Sequence, residues 1–184
     1  MFDDMVESSD SGERFRFRGL AGNDTFIGNT SEDTIDYRFD VRHGGDSGVT
    51  INLAEGWAVD GFGDTDTISG IDRAIGTAGN DTIIGSDHRE LIEGWQGDDI
   101  LTGAGEADIF RFRDGFGNDR ITDFVVGEDR LRMNDLSDLF DGFEGLEIEQ
   151  VGADTVIRVE GDEENSITLV NIDASTLSEA DFIG

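Results

Sequence analysis

Gly76-Thr77-Ala78-Gly79-Asn80-Asp81-Thr82-Ile83-Ile84 opens a run of nines. Gly85 to Glu93, Gly94 to Thr102 and Gly103 to Arg111 follow without a gap, and Asp114 to Thr122 is a fifth unit displaced by two inserted residues. In each unit the sixth position is acidic (Asp81, Glu90, Asp99, Asp108, Asp119) and the eighth is large and apolar (Ile83, Ile92, Leu101, Phe110, Ile121). Upstream, Gly19 to Ile27 and Gly28 to Asp36 obey the same rule, with Asp24 and Asp33 at position six and Phe26 and Ile35 at position eight. Asp and Asn favour turns anywhere in a chain. Turn preference alone does not place an acid at one position of seven regular units.

Self-similarity at a fixed short period predicts a solenoid. Each nine divides into a six-residue turn and a three-residue strand, so two units make one flattened coil. Acids on one side then recur every 18 residues, as Asp81 and Asp99 do, and Glu90 and Asp108. Stacked strands lie about 4.8 Å apart, and calcium–oxygen distances are about 2.3–2.6 Å. An ion midway between two stacked turns is therefore within bonding distance of both. Without it, two carboxylates one pitch apart repel by roughly 3.5 kcal/mol at an effective dielectric of about 20. Glycine permits positive φ and leaves room for turn carbonyls to converge on the ion. One large apolar side chain per unit cannot offset the ordering of nine backbones. Folding is thus expected to be coupled to the ion.

Composition agrees. A chain of 184 residues suits one domain, or a repeat array with a small cap. Its 13 basic residues are all arginine and its acids number 43, for a net charge of −30, which excludes nucleic acid and anionic membrane as partners of the chain as a whole. Thirteen Phe and 2 Trp argue against a purely solvated acidic tail. Glycine numbers 26 and proline none, and the absence of cysteine excludes disulfides and thiolate metal sites. No apolar run approaches the roughly 18 residues of a membrane span. The acidic start does not read as a secretory signal peptide.

The repeat resembles the G-G-x-G-x-D-x-U-x nonapeptide of the RTX, or hemolysin-type calcium-binding, family. Gly19-Leu20-Ala21-Gly22-Asn23-Asp24-Thr25-Phe26, Gly76 to Ile83 and Gly94-Trp95-Gln96-Gly97-Asp98-Asp99-Ile100-Leu101 are close matches. The Gly85 unit departs most, with His88 in place of glycine and Glu90 in place of aspartate. The resemblance implies an all-β fold: a right-handed parallel β-roll (β-solenoid) with a small C-terminal β cap. It implies several Ca²⁺ ions as cofactor. The ligand positions it implies are Asp24, Asp33, Asp66, Gly76, Ala78, Gly79, Asp81, Glu90, Gly94, Gln96, Gly97, Asp99, Gly103, Gly105, Asp108, Gly117 and Asp119. It further implies a secreted, extracellular protein exported by a type I secretion ABC transporter. The chain would then be the C-terminal folding and secretion module, without a reaction of its own.

Residues 1–13 read as an acidic leader, 14–122 as the roll, and 123–184 as capping strands and a secretion-signal-like C-terminus. Within the roll, 37–75 is less regular. Val49-Thr50-Ile51-Asn52-Leu53 alternates like a strand. Gly61 to Ile68 returns Asp66 at position six and Ile68 at position eight, and Ile71 to Ile75 reads as a shortened turn. An EF-hand at Asp64-Thr65-Asp66 fails, because its twelfth position is Ile75. Beyond the array, strands are expected at Leu146 to Val151, Thr155 to Glu160 and Ser166 to Asn171, with a turn from Gly161 to Asn165. Thr176-Leu177-Ser178-Glu179 fits a capping box and predicts a short final helix. Asp181-Phe182-Ile183 resembles the uncleaved C-terminal signals of type I secretion substrates.

Two further features bear on function. His43 stands beside Gly44-Gly45 in an expected loop and His88 lies inside a repeat; there is no HExxH zinc motif, and neither histidine has the company of a catalytic group. Arg14-Phe15-Arg16-Phe17-Arg18 and Phe110-Arg111-Phe112-Arg113 alternate arginine with phenylalanine, which on strands puts Phe inward and Arg outward. Arg14, Arg16, Arg111 and Arg113 could line a groove for an anionic polysaccharide, as in the R-modules of mannuronan epimerases. The competing reading is local neutralisation of nearby carboxylates.

Overall fold

The period of nine becomes alternating strands on two facing sheets. In the computed structural model, which describes residues 3–7, 13–29, 32–45, 48–136 and 142–183, the main array forms strands Thr82–Ser86, Leu91–Glu93, Ile100–Ala104 and Ile109–Arg113. Odd units enter one sheet and even units the other. Leu101 pairs with Ile83 and Phe110 with Ile92, both in parallel, so the 18-residue coil is the structural repeat. Among the described residues the larger sheet has 11 strands and the smaller 7. Position eight points between them: Ile83, Ile92, Leu101, Phe110 and Ile121 are all fully buried. Near the start, Phe17 and Phe26 meet across the core with ring centroids 5.5 Å apart. The two residues inserted before the fifth unit leave the stack intact, since Arg120 and Ile121 pair with Ile100 and Leu101. The register shift falls between Arg111 and Arg113, against Arg130–Asp135.

Residues 37–75 are an insertion that only one sheet absorbs. In the smaller sheet, Thr34–Asp36 pairs with Arg73–Ile75 and that strand pairs with Leu91–Glu93, all in parallel. In the larger sheet, Trp57–Val59 and Thr50–Asn52 intervene between Thr65–Ser69 and Thr82–Ser86. Trp57–Val59 runs antiparallel to both neighbours. The expected loop around His43 is instead a short helix, Asp40–His43, ended by Gly44 at φ 106°. Only a residue without Cβ adopts that left-handed turn freely.

The parallel stack runs past the boundaries expected at 13 and 122. Met5–Glu7, inside the expected leader, pairs with Thr25–Ile27. Arg130–Asp135 and Phe182–Ile183 extend the smaller sheet, and Ser166–Leu169 extends the larger. The cap proper is the antiparallel pair Leu146–Val151 and Asp154–Val159, followed by a turn into Ser166–Leu169. The expected final helix is instead a 3₁₀ turn, Glu179–Asp181, and its capping box is formed by Ser178 and Asp181 rather than Thr176 and Glu179. The reason is local: Asp181 accepts both the N–H and the hydroxyl of Ser178, and its other oxygen accepts Gly127 N–H. Residues 1, 2 and 8–12 of the leader, 30 and 31 of the Gly28 unit, and Gly184 lie outside the described residues. No helix among the described residues is long and apolar enough to cross a membrane.

Ile83→Ala removes a buried position-eight side chain and is expected to cost about 2–5 kcal/mol in calcium-saturated denaturant unfolding. Ile100→Ala, at a residue 45% exposed in the next coil, is expected to stay within about 0.5 kcal/mol.

Candidate calcium-binding turns

The position-six acids form two ladders along the edges of the roll. On one edge Asp99 Oδ1 accepts the backbone N–H of Asp81 at 2.8 Å, and Asp119 Oδ1 accepts that of Asp99 at 2.9 Å. Asp66 Oδ1 accepts Asp24 N–H at 2.9 Å in the same manner. On the other edge Asp108 Oδ1 accepts Glu90 N–H at 2.8 Å, and Asp33 Oδ1 accepts Phe15 N–H at 2.7 Å. Each of these carboxylates thus spends one oxygen on the preceding coil; the other accepts Asn29 N–H in Asp33 and the Tyr37 hydroxyl in Asp66. All of these acids are 5% exposed or less.

Glycine at position one follows from this packing. A Cβ on Gly76 would stand 2.1 Å from Asp81 Oδ2, one on Gly94 1.9 Å from Asp99 Oδ2, and one on Gly103 2.3 Å from Asp108 Oδ2. At position four, Gly97 adopts φ +111°, and a Cβ there would stand 2.5 Å from the Gly79 carbonyl oxygen. Gly117 stands in the same relation to the Gly97 carbonyl, at 2.0 Å. On each edge, carboxylate oxygens and turn carbonyls therefore crowd a narrow channel that a side chain would fill. Ala78, Gln96 and Gly105, at position three, form the outer part of each turn; the N–H of Gln96 donates to Thr77 O and that of Gly105 to Ser86 O.

The channel is electrostatically unfavourable without a cation. Burial, then the charges of Asp81 and Asp98, pushes Asp99 up to about 8. Burial and Asp99 push Asp119 up to about 9, and burial with Glu90 and Asp129 pushes Asp108 up to about 8. Asp81 is raised to about 6 by burial. Asp99 Oδ2 is buried with no hydrogen-bond partner, a position of high cost unless a cation meets it. Among the described residues no three acidic or imidazole side chains converge on one point. The donor set is instead pairs of carboxylates plus backbone carbonyls, all hard oxygen, which fits Ca²⁺. Calcium bound there would supply the positive charge that lets adjacent coils keep their carboxylates ionised.

Glu90 is the weak member. Its longer side chain folds back on its own turn, accepting Ser86 Oγ–H and, at 3.2 Å, Ser86 N–H, and it accepts no backbone N–H from the coil before. Two ladder members escaped the repeat pattern. Asp72 Oδ2 accepts Asp33 N–H at 3.1 Å, and Asp129 Oδ1 accepts Asp108 N–H at 3.0 Å. Their signal is a position-four glycine and an acid two residues before an inward residue, as in Gly127-Glu128-Asp129-Arg130-Leu131, without the glycine at position one. Position five makes a second, exposed ladder: Asp98 N–H donates to Asn80 Oδ1 and Asn118 N–H to Asp98 Oδ1.

The four arginines singled out from sequence are each engaged with an acid. Arg14 pairs with Glu32 at 2.8 Å and Arg16 with Asp36 at 3.3 Å; Arg111 and Arg113 lie 3.6 and 2.7 Å from Glu93. Asp36 and Glu93 are buried. Burial raises Asp36, but the paired hydrogen bonds and charge of Arg38 outweigh it and hold the carboxyl below its usual value. The Arg16–Phe17 and Ile109–Arg113 strands are separated by three others in the smaller sheet, so the two arginine runs do not stack directly.

The raised carboxylates fix the sign of the pH dependence. In the ion-free roll, Asp99, Asp108 and Asp119 hold protons up to about 8 or 9, whereas the unfolded chain releases them near 3.9. The folded state binds more protons across that window, so ion-free stability is present near pH 4–5 and falls as pH rises to about 9. Calcium competes with those protons, so its affinity rises over the same range. Thermal melts in chelator and calorimetric titrations in buffers of different ionisation enthalpy would register the opposed slopes. An ion-free melting temperature that climbs with pH contradicts the assignment.

Comparison with known proteins agrees with this geometry. The RTX calcium-binding nonapeptide repeat profile matches residues 16–39, 66–101 and 75–110. No curated protein matches the sequence. Among solved structures, the extracellular lipase LipA of Serratia marcescens superposes with a TM-score of 0.53 at 16% identity, over 99% of this chain and 38% of the lipase. The chain thus spans well under half the length of that lipase, and the likeness is one of fold. The AlgE6R2 subunit of the Azotobacter vinelandii mannuronan C5-epimerase gives a TM-score of 0.49 at 21% identity, over 94% of this chain and 92% of that subunit. Period, stacked acids, obligatory glycines and matched segments converge: this is a parallel β-roll, and the chain carries RTX calcium-binding nonapeptide repeats.

Proposed function

We propose that the chain is a folding module switched by calcium, and that it serves an exported protein as its C-terminal folding and secretion unit. The observation that carries this reading is the pair of carboxylate ladders, buried and short of positive charge until an ion enters. Asp81, Asp99 and Asp119 would hold ions on one edge, with Asp24 and Asp66 continuing that edge. Asp33, Asp72, Glu90, Asp108 and Asp129 would hold ions on the other. Extracellular calcium modules bind with Kd of about 10⁻⁴–10⁻³ M. Such sites stay empty in a cytosol, where the chain remains extended enough for a type I transporter to thread, and fill outside. The proposal gives the chain no reaction of its own. His43 Nδ1 lies 2.9 Å from Phe39 O and its ring is exposed, and His88 is an exposed turn residue.

A second reading, binding of an anionic polysaccharide, is favoured by one cleft. Arg14, Arg73, Arg89 and Arg132 line a depression of about 230 Å³, together with Glu32, Asp72 and Glu90. The Nε atoms of Arg73 and Arg132 are buried without a hydrogen-bond partner. Arg73 and Arg132, not the four paired arginines, are the residues to test.

In millimolar calcium, far-ultraviolet circular dichroism should show β-structure, and in chelator mostly coil; a full β-signal and unchanged melting in chelator would sink the coupling. Asp99→Ala should lower calcium stoichiometry more than Glu90→Ala, because Asp99 faces two coils and Glu90 is bound to its own turn. For the polysaccharide reading, alginate oligomers titrated at low salt should give heat that Arg73→Gln with Arg132→Gln abolishes and that salt weakens. No heat from the calcium-loaded protein removes that reading and leaves the first untouched.

A further inference from the structure

The insertion buries two acids that the nonapeptide pattern does not explain, Asp40 and Asp60, beside Asp66, which it does. Asp40 opens the short helix, Asp60 sits in the turn after Trp57–Val59, and Asp66 lies in the next strand. All three are 0% exposed, as is Tyr37 beside them. Asp66 is fully partnered: Oδ1 accepts Asp24 N–H and Oδ2 accepts the Tyr37 hydroxyl at 2.7 Å. The other two are not. Asp40 Oδ2 accepts Gly61 N–H at 3.0 Å, which ties Asp40 to the residue after Asp60, and Asp60 Oδ1 accepts Phe62 and Asp64 N–H. Asp40 Oδ1 and Asp60 Oδ2 are buried with no partner. The three carboxylates and the Tyr37 phenol lie close enough to act on one another's charge. The positive group acting on Asp40 is the exposed His43 imidazole. Among the described residues no ion pair reaches any of the three.

Burial of two orphaned carboxylate oxygens among like charges is costly unless a cation joins them. Gly45 keeps the space beside them clear, since a Cβ there would come within 3.0 Å of the Gly61 carbonyl and 3.1 Å of Asp40 Cβ. We propose that Asp40 and Asp60 hold a divalent cation of their own inside the insertion, outside the nonapeptide series, with Ca²⁺ selected by the all-oxygen donors. The ion would tie the helix to the turn at Asp60 and, through Tyr37 and Asp66, to the first coils of the roll. The site uses the same pairing of two carboxylates as the turns, but its acids come from one excursion of the chain rather than from adjacent coils.

Two measurements on the full chain test this. Calcium stoichiometry by native mass spectrometry should fall by one ion in the double variant Asp40→Asn, Asp60→Asn, while the calcium-driven β-signal persists. Unchanged stoichiometry would mean that the acids are merely protonated structural groups, and would overturn the proposal. Tyr37 is the sole tyrosine, so terbium bound here is excited through it. In a Trp57→Phe, Trp95→Phe background, excitation at the tyrosine band should give terbium emission that falls several-fold in the double variant. Absence of emission from that background chain, which keeps both acids, overturns the proposal whether or not the double variant folds. Failure of the whole-roll reading looks different: the unaltered chain would then show no calcium-dependent β-signal at all.

Discussion

The roll depends on one constraint: carboxylates held at the pitch of a β-sheet, nearly free of water, with one oxygen already bound to the neighbouring coil. Each bond from a carboxylate to the preceding N–H fixes the height of a turn. The remaining oxygen is then presented at a spacing that suits an ion and nothing apolar. Hydrophobic burial holds the two sheets together through one side chain per unit, but it does not choose the pitch. The backbone pairing of the parallel strands does, and it holds the carboxylates there at an electrostatic cost that only protons or cations relieve.

The ladder counts space rather than sequence. Stacked acids are separated by 18 residues from Asp81 to Asp99, by 20 from Asp99 to Asp119, by 21 from Asp108 to Asp129, and by 42 from Asp24 to Asp66. The carboxylate-to-amide distance stays between 2.8 and 3.0 Å throughout. The chain can therefore leave the roll, build a hairpin and a helix, and rejoin it with the Asp24–Asp66 rung in place, while Asp81 Oδ1 accepts Val49 N–H from the hairpin instead of an acid's. The excursion at 37–75 does this while the smaller sheet proceeds strand by strand beneath it.

Legibility followed the regularity of the chain. The acids and apolar residues of the nonapeptides stand where the period puts them, because each unit repeats the same local problem. Asp66 was readable in spite of the insertion, since its unit keeps the six-to-eight spacing. Asp72 and Asp129 were not, because their turns keep only the position-four glycine, Gly70 and Gly127, and lack the one at position one; the backbone path brings them into line. The Phe-Arg alternation was legible as inward and outward faces, but its pairing was not. Which acid meets Arg16 or Arg113 depends on Asp36 and Glu93, which lie on other strands. The helix at Asp40 was hidden by the two glycines after His43, of which the first ends a helix rather than opening a loop. The capping box slid by two residues because Asp181 answers to Gly127, far off in sequence.

The ends of the stack bear on how such a molecule avoids becoming a fibre. A parallel roll presents open sheet edges at both ends, and identical copies could in principle stack end to end without closure. At one end the larger sheet finishes on the antiparallel strand Leu146–Val151, with Glu147 and Glu149 exposed on it. A like-charged edge of reversed direction does not template another coil. Among the described residues the opposite edge of that sheet is Met5–Glu7, with all three residues exposed. Acid and inverted polarity make the Leu146–Val151 edge a poor template for a second copy.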